Sequence, residues 1–304
     1  MLTKQIQFYE DREDVSLTIY VIGEKGQLSD VGKRPAVIIC PGGAYIGCSD
    51  REAEPVALKY NAMGYQAFVL RYSTYMEGKL EFPRVLSALK PKEHCQHPTP
   101  VREIGKAMLM IRENADEWFV DTDKIIICGF SAGAHNSAMY TTYWHTPLLT
   151  EYFGVDKEML RPAAAILGYT LSDYIFMKEN LNQDSQEIFN LSNLSYLGDT
   201  DPTEDKLHEV SPARNVTEHN PPTFLWATAA DTLVPVQHSL CMAHALANHK
   251  VPFEMHIFEE GAHGLSIATQ ASSVSQSQIN EDVAKWIDLV DAWLKKRFIL
   301  NLKK

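Results

Sequence analysis

The chain of 304 residues predicts an α/β protein with a mostly parallel central sheet covered by helices on both faces. Short β-branched apolar runs at 36–40, 66–71, 124–128, 163–167, 223–228 and 253–258 alternate with helix-like segments. Strands joined through helices run parallel, and parallel strands need cover on both faces. With 45% hydrophobic content, and Gly and Pro scattered at junctions instead of gathered in a linker, one domain over 1–304 is expected.

Taken in order, 16–22 reads as an antiparallel strand ahead of the parallel unit. Before the run at 124–128, Thr99 can cap, Pro100 suits a first turn, and Val101, Ile104, Met108 and Ile111 recur at helical spacing. Near the C-terminus Val283, Trp286, Ile287, Val290, Trp293 and Leu294 share one side of a helix, with Asp288, Asp291 and Lys295 largely on the other. Two stretches break the alternation, 74–97 and 171–222. Insertions of this length are commonly lids or binding loops, the alternative being a passive surface excursion. The second, placed between the strand at 163–167 and the one leading to the candidate acid, is expected to be a lid or binding insertion.

Lys and Arg total 28 against 39 Asp and Glu, a formal charge of −11, so no positive field attracts phosphate backbones and nucleic acid is not an expected partner. The start, MLTKQIQFYEDREDV, has no apolar signal region, and no uncharged apolar stretch reaches membrane-spanning length. A cytoplasmic location without a membrane partner is expected. Cysteines 40, 48, 95, 128 and 241 are odd in number and lack a CxxC pair, which suits reduced thiols. Asn190, Asn193 and Asn215 head NxS/T triplets, read as chance matches. A homo-oligomer stays open beside a monomer.

The chemistry centres on IIICGFSAGAH, where a buried-type strand runs through Gly129-Phe130-Ser131-Ala132-Gly133 into a helix. A GxSxG pattern alone is weak, but between a strand and a helix it is the context of a nucleophile elbow. That turn would strain Ser131 and expose its hydroxyl, with the flanking glycines avoiding backbone collisions. The hydroxyl needs a base, which points to His. His263, in EEGAHGLS just after the final strand, has the position of that base in an α/β-hydrolase fold. Asp231 ends the preceding strand in PPTFLWATAADTLVP and completes the order Ser, Asp, His, whereas Asp199, Asp201 and Asp205 precede that strand and read as a solvated loop. An ester's oxyanion needs preorganised N–H donors. The run Cys40-Pro41-Gly42-Gly43-Ala44-Tyr45 follows the first parallel strand, so the amides of Gly43 or Ala44 are expected to act with that of Ala132. Tyr45, beside this loop, is the candidate substrate-lining residue, with ordinary aromatic packing as the alternative.

CPGGAY, GFSAGAH, SPARNV followed by PPTFLWATAADTLVPVQHS, and GAHGLSIAT stand in one order over most of the chain. Together they resemble bacterial α/β-hydrolase esterases of the acetyl-esterase and xylan-esterase-like group, several of which are sugar-ester hydrolases. The resemblance implies triad roles for Ser131, Asp231 and His263 and an oxyanion role for the Gly42 to Ala44 loop. Ala44 stands where a third Gly is usual, which bears on oxyanion geometry and pocket size. Ala230 stands where an acidic residue often precedes the triad Asp.

Other residues have plainer readings. His135, one turn past the elbow, is expected to be a hydrogen-bonded core histidine. His94, Cys95 and His97, and His238, Cys241 and His244, superficially resemble metal ligands, but neither group has paired spacing from a second segment. No metal or cofactor is expected. The leading expectation is hydrolysis of a short-acyl ester, a small-molecule substrate, with acetylated carbohydrate implied by the resemblance alone. The alternatives are a serine peptidase of the same fold, although no large peptide-sieving domain precedes the first core strand, and a catalytically silent binding protein, which fold alone does not exclude.

Overall fold

A computed structural model describes residues 1–23, 32–83 and 89–298. Positions 84–88 of the excursion expected at 74–97 lie outside the described residues. The strands are β1 (Leu2–Gln7), β2 (Ser16–Val21), β3 (Arg34–Cys40), β4 (Gln66–Arg71), β5 (Val120–Phe130), β6 (Ala164–Gly168), β7 (Thr223–Thr228) and β8 (Phe253–Phe258). The helices are α1 (Glu54–Ala62), α2 (Thr99–Glu113), α3 (Ala132–Tyr143), α4 (Pro147–Phe153), α5 (Tyr174–Glu179), α6 (Gln183–Leu197), α7 (Glu204–Glu209), α8 (Gln237–Asn248), α9 (Glu281–Ala284) and α10 (Trp286–Lys295).

All eight strands form one sheet in the order β1-β2-β4-β3-β5-β6-β7-β8. β1 and β2 are antiparallel, as is the β2–β4 pair, and every later pairing is parallel. The two-residue period of a strand sends alternate side chains to opposite cores. Ala36, Ile38, Ile125 and Ile127 pack with Val101, Ile104, Met108 and Ile111 of α2. Val37, Ile39, Ile126 and Cys128 face the other way, toward Val56 and Tyr60 of α1 and Trp286, Val290 and Trp293 of α10. Each such Ile or Val, removed completely from water, stabilises the fold by roughly 1.5–3 kcal/mol before entropy is counted.

Three local features differ from the sequence expectation. β1 is an unforeseen edge strand, exposed apart from partly covered Ile6, with Leu2 and Ile6 its only apolar residues, so its sequence carries no fully buried face to read. α2 begins at Thr99 itself, after Pro98, and the Thr99 side chain makes no capping bond. The C-terminal helix is split at Lys285 into α9 and α10, and Asn280 caps the start of α9 by accepting from the amides of Asp282 and Val283. Among the described residues, no helix is long and apolar enough to cross a membrane.

The carboxyl ends of β3, β5, β7 and β8 lead into the loops or turns that carry the 41–45 segment, Ser131, Asp231 and His263 respectively. An open α/β sheet characteristically places its ligand site beyond this edge.

Candidate active site

β5 delivers Phe130 into the sheet and α3 begins at Ala132, leaving Ser131 to make the turn at φ 51°, ψ −122°. That backbone costs on the order of 1–3 kcal/mol for a non-glycine residue. Two hydrogen bonds hold it: the Ser131 amide donates to Gly168 O at 3.1 Å, and its carbonyl accepts from the His135 amide at 2.9 Å. Close approach explains Gly133, because a Cβ there would lie 2.0 Å from Cys40 O and 2.4 Å from Pro41 O. The nucleophile helix and the 41–45 loop are therefore in backbone contact.

His263 Nε2 lies 2.8 Å from Ser131 Oγ, and its Nδ1 lies 2.7 Å from Asp231 Oδ2. The Asp231 side chain is 1% exposed and that of His263 14% exposed. Asp231 Oδ1 accepts from the amides of Leu233 and Val234, both at 2.9 Å, so a tight turn aims Oδ2 at the imidazole. With Asp231 accepting on both oxygens, Nδ1 carries the hydrogen and Nε2 is free to accept from the serine. Tyr169 packs edge-on against the His263 ring with centroids 5.0 Å apart. The structure thus brings the three expected residues into one hydrogen-bonded line.

The 41–45 loop passes directly over the nucleophile: a Cβ on Gly42 would stand 2.8 Å from Ser131 Cβ. Gly43, Ala44 and Tyr45 follow with φ of 138°, 53° and 59°. Among the described residues, the amides of Gly43, Ala44 and Ala132 have no protein acceptor. Donors left free beside a nucleophile are what a developing oxyanion requires.

Tyr45 corrects an expectation: its side chain is fully buried and borders neither cavity beside Ser131. A large ring beneath the loop gains more from aromatic packing than from facing water. It stacks on Tyr196 with centroids 4.0 Å apart, and its hydroxyl donates to His135 Nδ1 at 2.6 Å. His135 in turn donates from Nε2 to Val210 O at 2.7 Å, and burial pushes its pKa down to about 3, so it is a neutral core histidine. Asp199, Asp201 and Asp205 are exposed. Among the described residues, no three His, Cys, Asp or Glu side chains are grouped to hold a metal ion.

Two spaces flank Ser131. An apolar cavity of about 50 Å³ lies between Ala44, Ala132, Leu171, Met177, Phe189 and Val234. A more open groove of about 310 Å³ runs past His263, Arg51, Ser49, Leu80 and Phe82, the last 51% exposed. The 171–222 insertion supplies α5 and α6, whose Met177, Ile188 and Phe189 wall the smaller cavity.

Sequence reasoning missed Glu52 and Tyr169. Glu52 is 3% exposed; its Oε2 accepts from the Gly42 amide at 2.7 Å, and its Oε1 accepts from the Tyr169 hydroxyl at 2.5 Å. Burial pushes its carboxyl above the ordinary range, and those two bonds act in the opposite direction. Glu52 has the local appearance of an acid at the start of a helix, so nothing in the sequence marks it. Tyr169 sits just past β6, at the sheet edge where sites form, and that position was a usable signal.

An eight-stranded, mostly parallel sheet with a serine elbow after β5, an aspartate after β7 and a histidine after β8 defines an enzyme of the α/β-hydrolase fold. Residues 27–246 match the BD-FAE family, and the chain belongs to that family. It is 30% identical over 245 residues to endo-1,4-beta-xylanase B of Butyrivibrio fibrisolvens, covering 79% of this chain and 34% of that protein. The chain spans less than half the length of the curated relatives it matches. Among solved structures, the carboxylesterase Cest-2923 of Lactobacillus plantarum superposes with a TM-score of 0.79 at 26% identity, covering 100% of both chains. The acetyl ester-xyloside bifunctional hydrolase of Caldicellulosiruptor lactoaceticus does so with a TM-score of 0.72 at 27% identity, covering 96% of each chain.

Proposed function

We propose that this protein is a serine esterase that cleaves short-acyl esters, with acetylated carbohydrate as its substrate class. The observation that carries the reading is the line Asp231–His263–Ser131, at 2.7 and 2.8 Å, beside unoccupied backbone donors. Ser131 Oγ attacks the acyl carbonyl while His263 Nε2 takes its proton, and Asp231 holds the imidazole and its developing charge. The amide of Ala132, with that of Gly43 or Ala44, receives the oxyanion. Collapse of the tetrahedral adduct expels the alcohol, which takes the proton back from His263. Water then repeats the sequence on the acyl-serine, releasing the acid and restoring Ser131.

Size supports the acyl assignment. A dry cavity of about 150 Å³ suffices for benzene, so the apolar space of about 50 Å³ suits an acetyl-sized group and crowds a longer one. The alcohol is then assigned to the open groove, where exposed Phe82 and Leu80 offer an apolar face to a sugar ring and Arg51 and Ser49 offer polar contacts. The carbohydrate part is supported by the names of the xylanase and the acetyl ester-xyloside hydrolase. The test compares kcat/KM for acetyl, butyryl and long-chain nitrophenyl esters, then measures acetate released from acetylated xylo-oligosaccharides, with Ser131→Ala as control. Acetyl is expected to lead. A preference for long chains removes the acyl assignment, and activity on synthetic acetates without acetate release from any sugar removes the carbohydrate.

A further inference from the structure

We infer that Glu52 is a positioning residue for this reaction: its carboxylate clamps the oxyanion loop to the loop carrying His263, so that donors and base meet Ser131 in one arrangement. The inference rests on the esterase reading above.

Each oxygen of Glu52 serves a different loop. Oε2 holds the Gly42 amide at 2.7 Å, immediately before the proposed donors. Oε1 holds the Tyr169 hydroxyl at 2.5 Å, and that same hydroxyl accepts from the Ser266 amide at 3.1 Å, three residues past His263. The Tyr169 ring meanwhile packs edge-on against His263. Glu52 also stands close to the chemistry, since a Cβ built on Gly42 would lie 2.8 Å from both Glu52 Oε2 and Ser131 Cβ.

The neighbouring residue repeats the link. Arg51 donates from Nη1 to Gly264 O at 2.9 Å and from Nε to Ser272 O at 2.6 Å, while its carbonyl accepts from Ser266 Oγ at 2.6 Å. The segment containing Arg51 and Glu52 therefore holds both loops that must converge on Ser131. Burying a carboxylate carries a desolvation cost of several kcal/mol unless its hydrogen bonds offset it. A Leu at this position would fill space without that cost, but it could not hold the Gly42 amide and the Tyr169 hydroxyl together. The strained run after Gly42, with positive φ at Gly43, Ala44 and Tyr45, gives that anchor something to hold.

The experiment uses the full chain with Glu52→Ala, Glu52→Gln and Tyr169→Phe. It reads kcat and KM on a nitrophenyl acetate, the rate of Ser131 labelling by a fluorophosphonate, and inhibition by an aryl trifluoromethyl ketone. Addition of Ser131 Oγ to the ketone creates the oxyanion that the loop must receive. Displacing catalytic groups by about 1 Å costs about a hundredfold, so Glu52→Ala is expected to lower kcat by that factor with KM little changed. Ketone affinity should weaken in parallel. Glu52→Gln should recover part of the loss, because its amide oxygen still accepts from Gly42, whereas its NH2 must donate to the Tyr169 hydroxyl, whose own hydrogen then loses its acceptor. Tyr169→Phe removes the His263-side anchor and should also lower kcat.

Wild-type kcat and ketone affinity in folded Glu52→Ala overturn the clamp, as does a Glu52→Gln protein no faster than Glu52→Ala. Where Glu52→Ala does not fold, an unchanged kcat in Tyr169→Phe overturns it. A wild-type protein that the phosphonate leaves unlabelled at Ser131 overturns the esterase reading and the clamp with it. Equal labelling of wild type and folded Glu52→Ala removes the clamp alone.

Discussion

Asp231 uses its two carboxylate oxygens for different tasks, one fixed by the Leu233 and Val234 amides and the other held against His263. In Asp231→Asn the amide oxygen retains the backbone bonds and the NH2 group faces Nδ1. The imidazole must then accept at Nδ1 and carry its hydrogen on Nε2, so it cannot take the serine proton. Turnover is expected to fall by about 10³–10⁴-fold with the melting temperature nearly unchanged, as checked by steady-state kinetics beside thermal denaturation. Near-normal turnover would transfer the role to another carboxylate. His263→Ala should cost at least about a hundredfold for the complementary reason that no base remains.

Among the elements, α6 has two stretches with different consequences. Its last turn is fastened below the oxyanion loop, where Ser195 Oγ donates to Tyr45 O at 2.5 Å and Tyr196 stacks on Tyr45. The Tyr196 carbonyl also accepts from the His97 amide at 2.8 Å. Two turns earlier, on the same face as Tyr196, Phe189 borders the small cavity beside Ser131. Truncating Phe189 should therefore lengthen the acyl chain accepted while leaving the loop in place. Each added methylene that finds room is worth about 1–3 kcal/mol of discrimination, so Phe189→Ala should raise the butyryl-to-acetyl ratio of kcat/KM by about tenfold or more. Its stability cost should be about 3 kcal/mol, the lower end for a buried Phe, because one side already borders a void. An unchanged ratio in a folded variant would show that the acyl group lies elsewhere.

At the scale of the whole molecule, buried titrating groups oppose one another. Glu103 is buried beside Ser73 and Tyr9, and desolvation raises its carboxyl to about 7. The folded state therefore holds more protons there than the unfolded state between about 4.5 and 7, and this contribution to stability is lost as pH rises through that window. His135 and His238 have the reverse sign, because burial pushes them down to about 3 and about 4. Their contribution is complete above the unfolded histidine value of about 6.5 and is lost as pH falls. Across 4.5 to 6.5 the rising contributions of His135 and His238 oppose the falling one of Glu103, whose sign buried Glu52 shares. Glu103→Gln should make the melting temperature climb more steeply with pH over that interval, the difference in stability reaching about 3 kcal/mol between its ends. Equal slopes in differential scanning fluorimetry would remove Glu103 from the balance.

The sheet's parallel strands, the elbow and the order Ser131, Asp231, His263 were legible in the chain, because these depend on local signals: apolar period, strand-to-helix turns, and position at a strand end. The chain also marked the 41–45 loop and the 171–222 insertion. Edge strand β1 escaped because Leu2 and Ile6, four positions apart among polar residues, do not make an alternating hydrophobic period. Folding alone makes Tyr45 turn inward to Tyr196 and His135, sets α6 as a wall of the space beside Ser131, and lets Glu52 reach Gly42 and Tyr169. Those contacts join residues 10 to 151 positions apart, and a hydrogen bond between buried groups so far separated leaves no pattern in the chain that makes it.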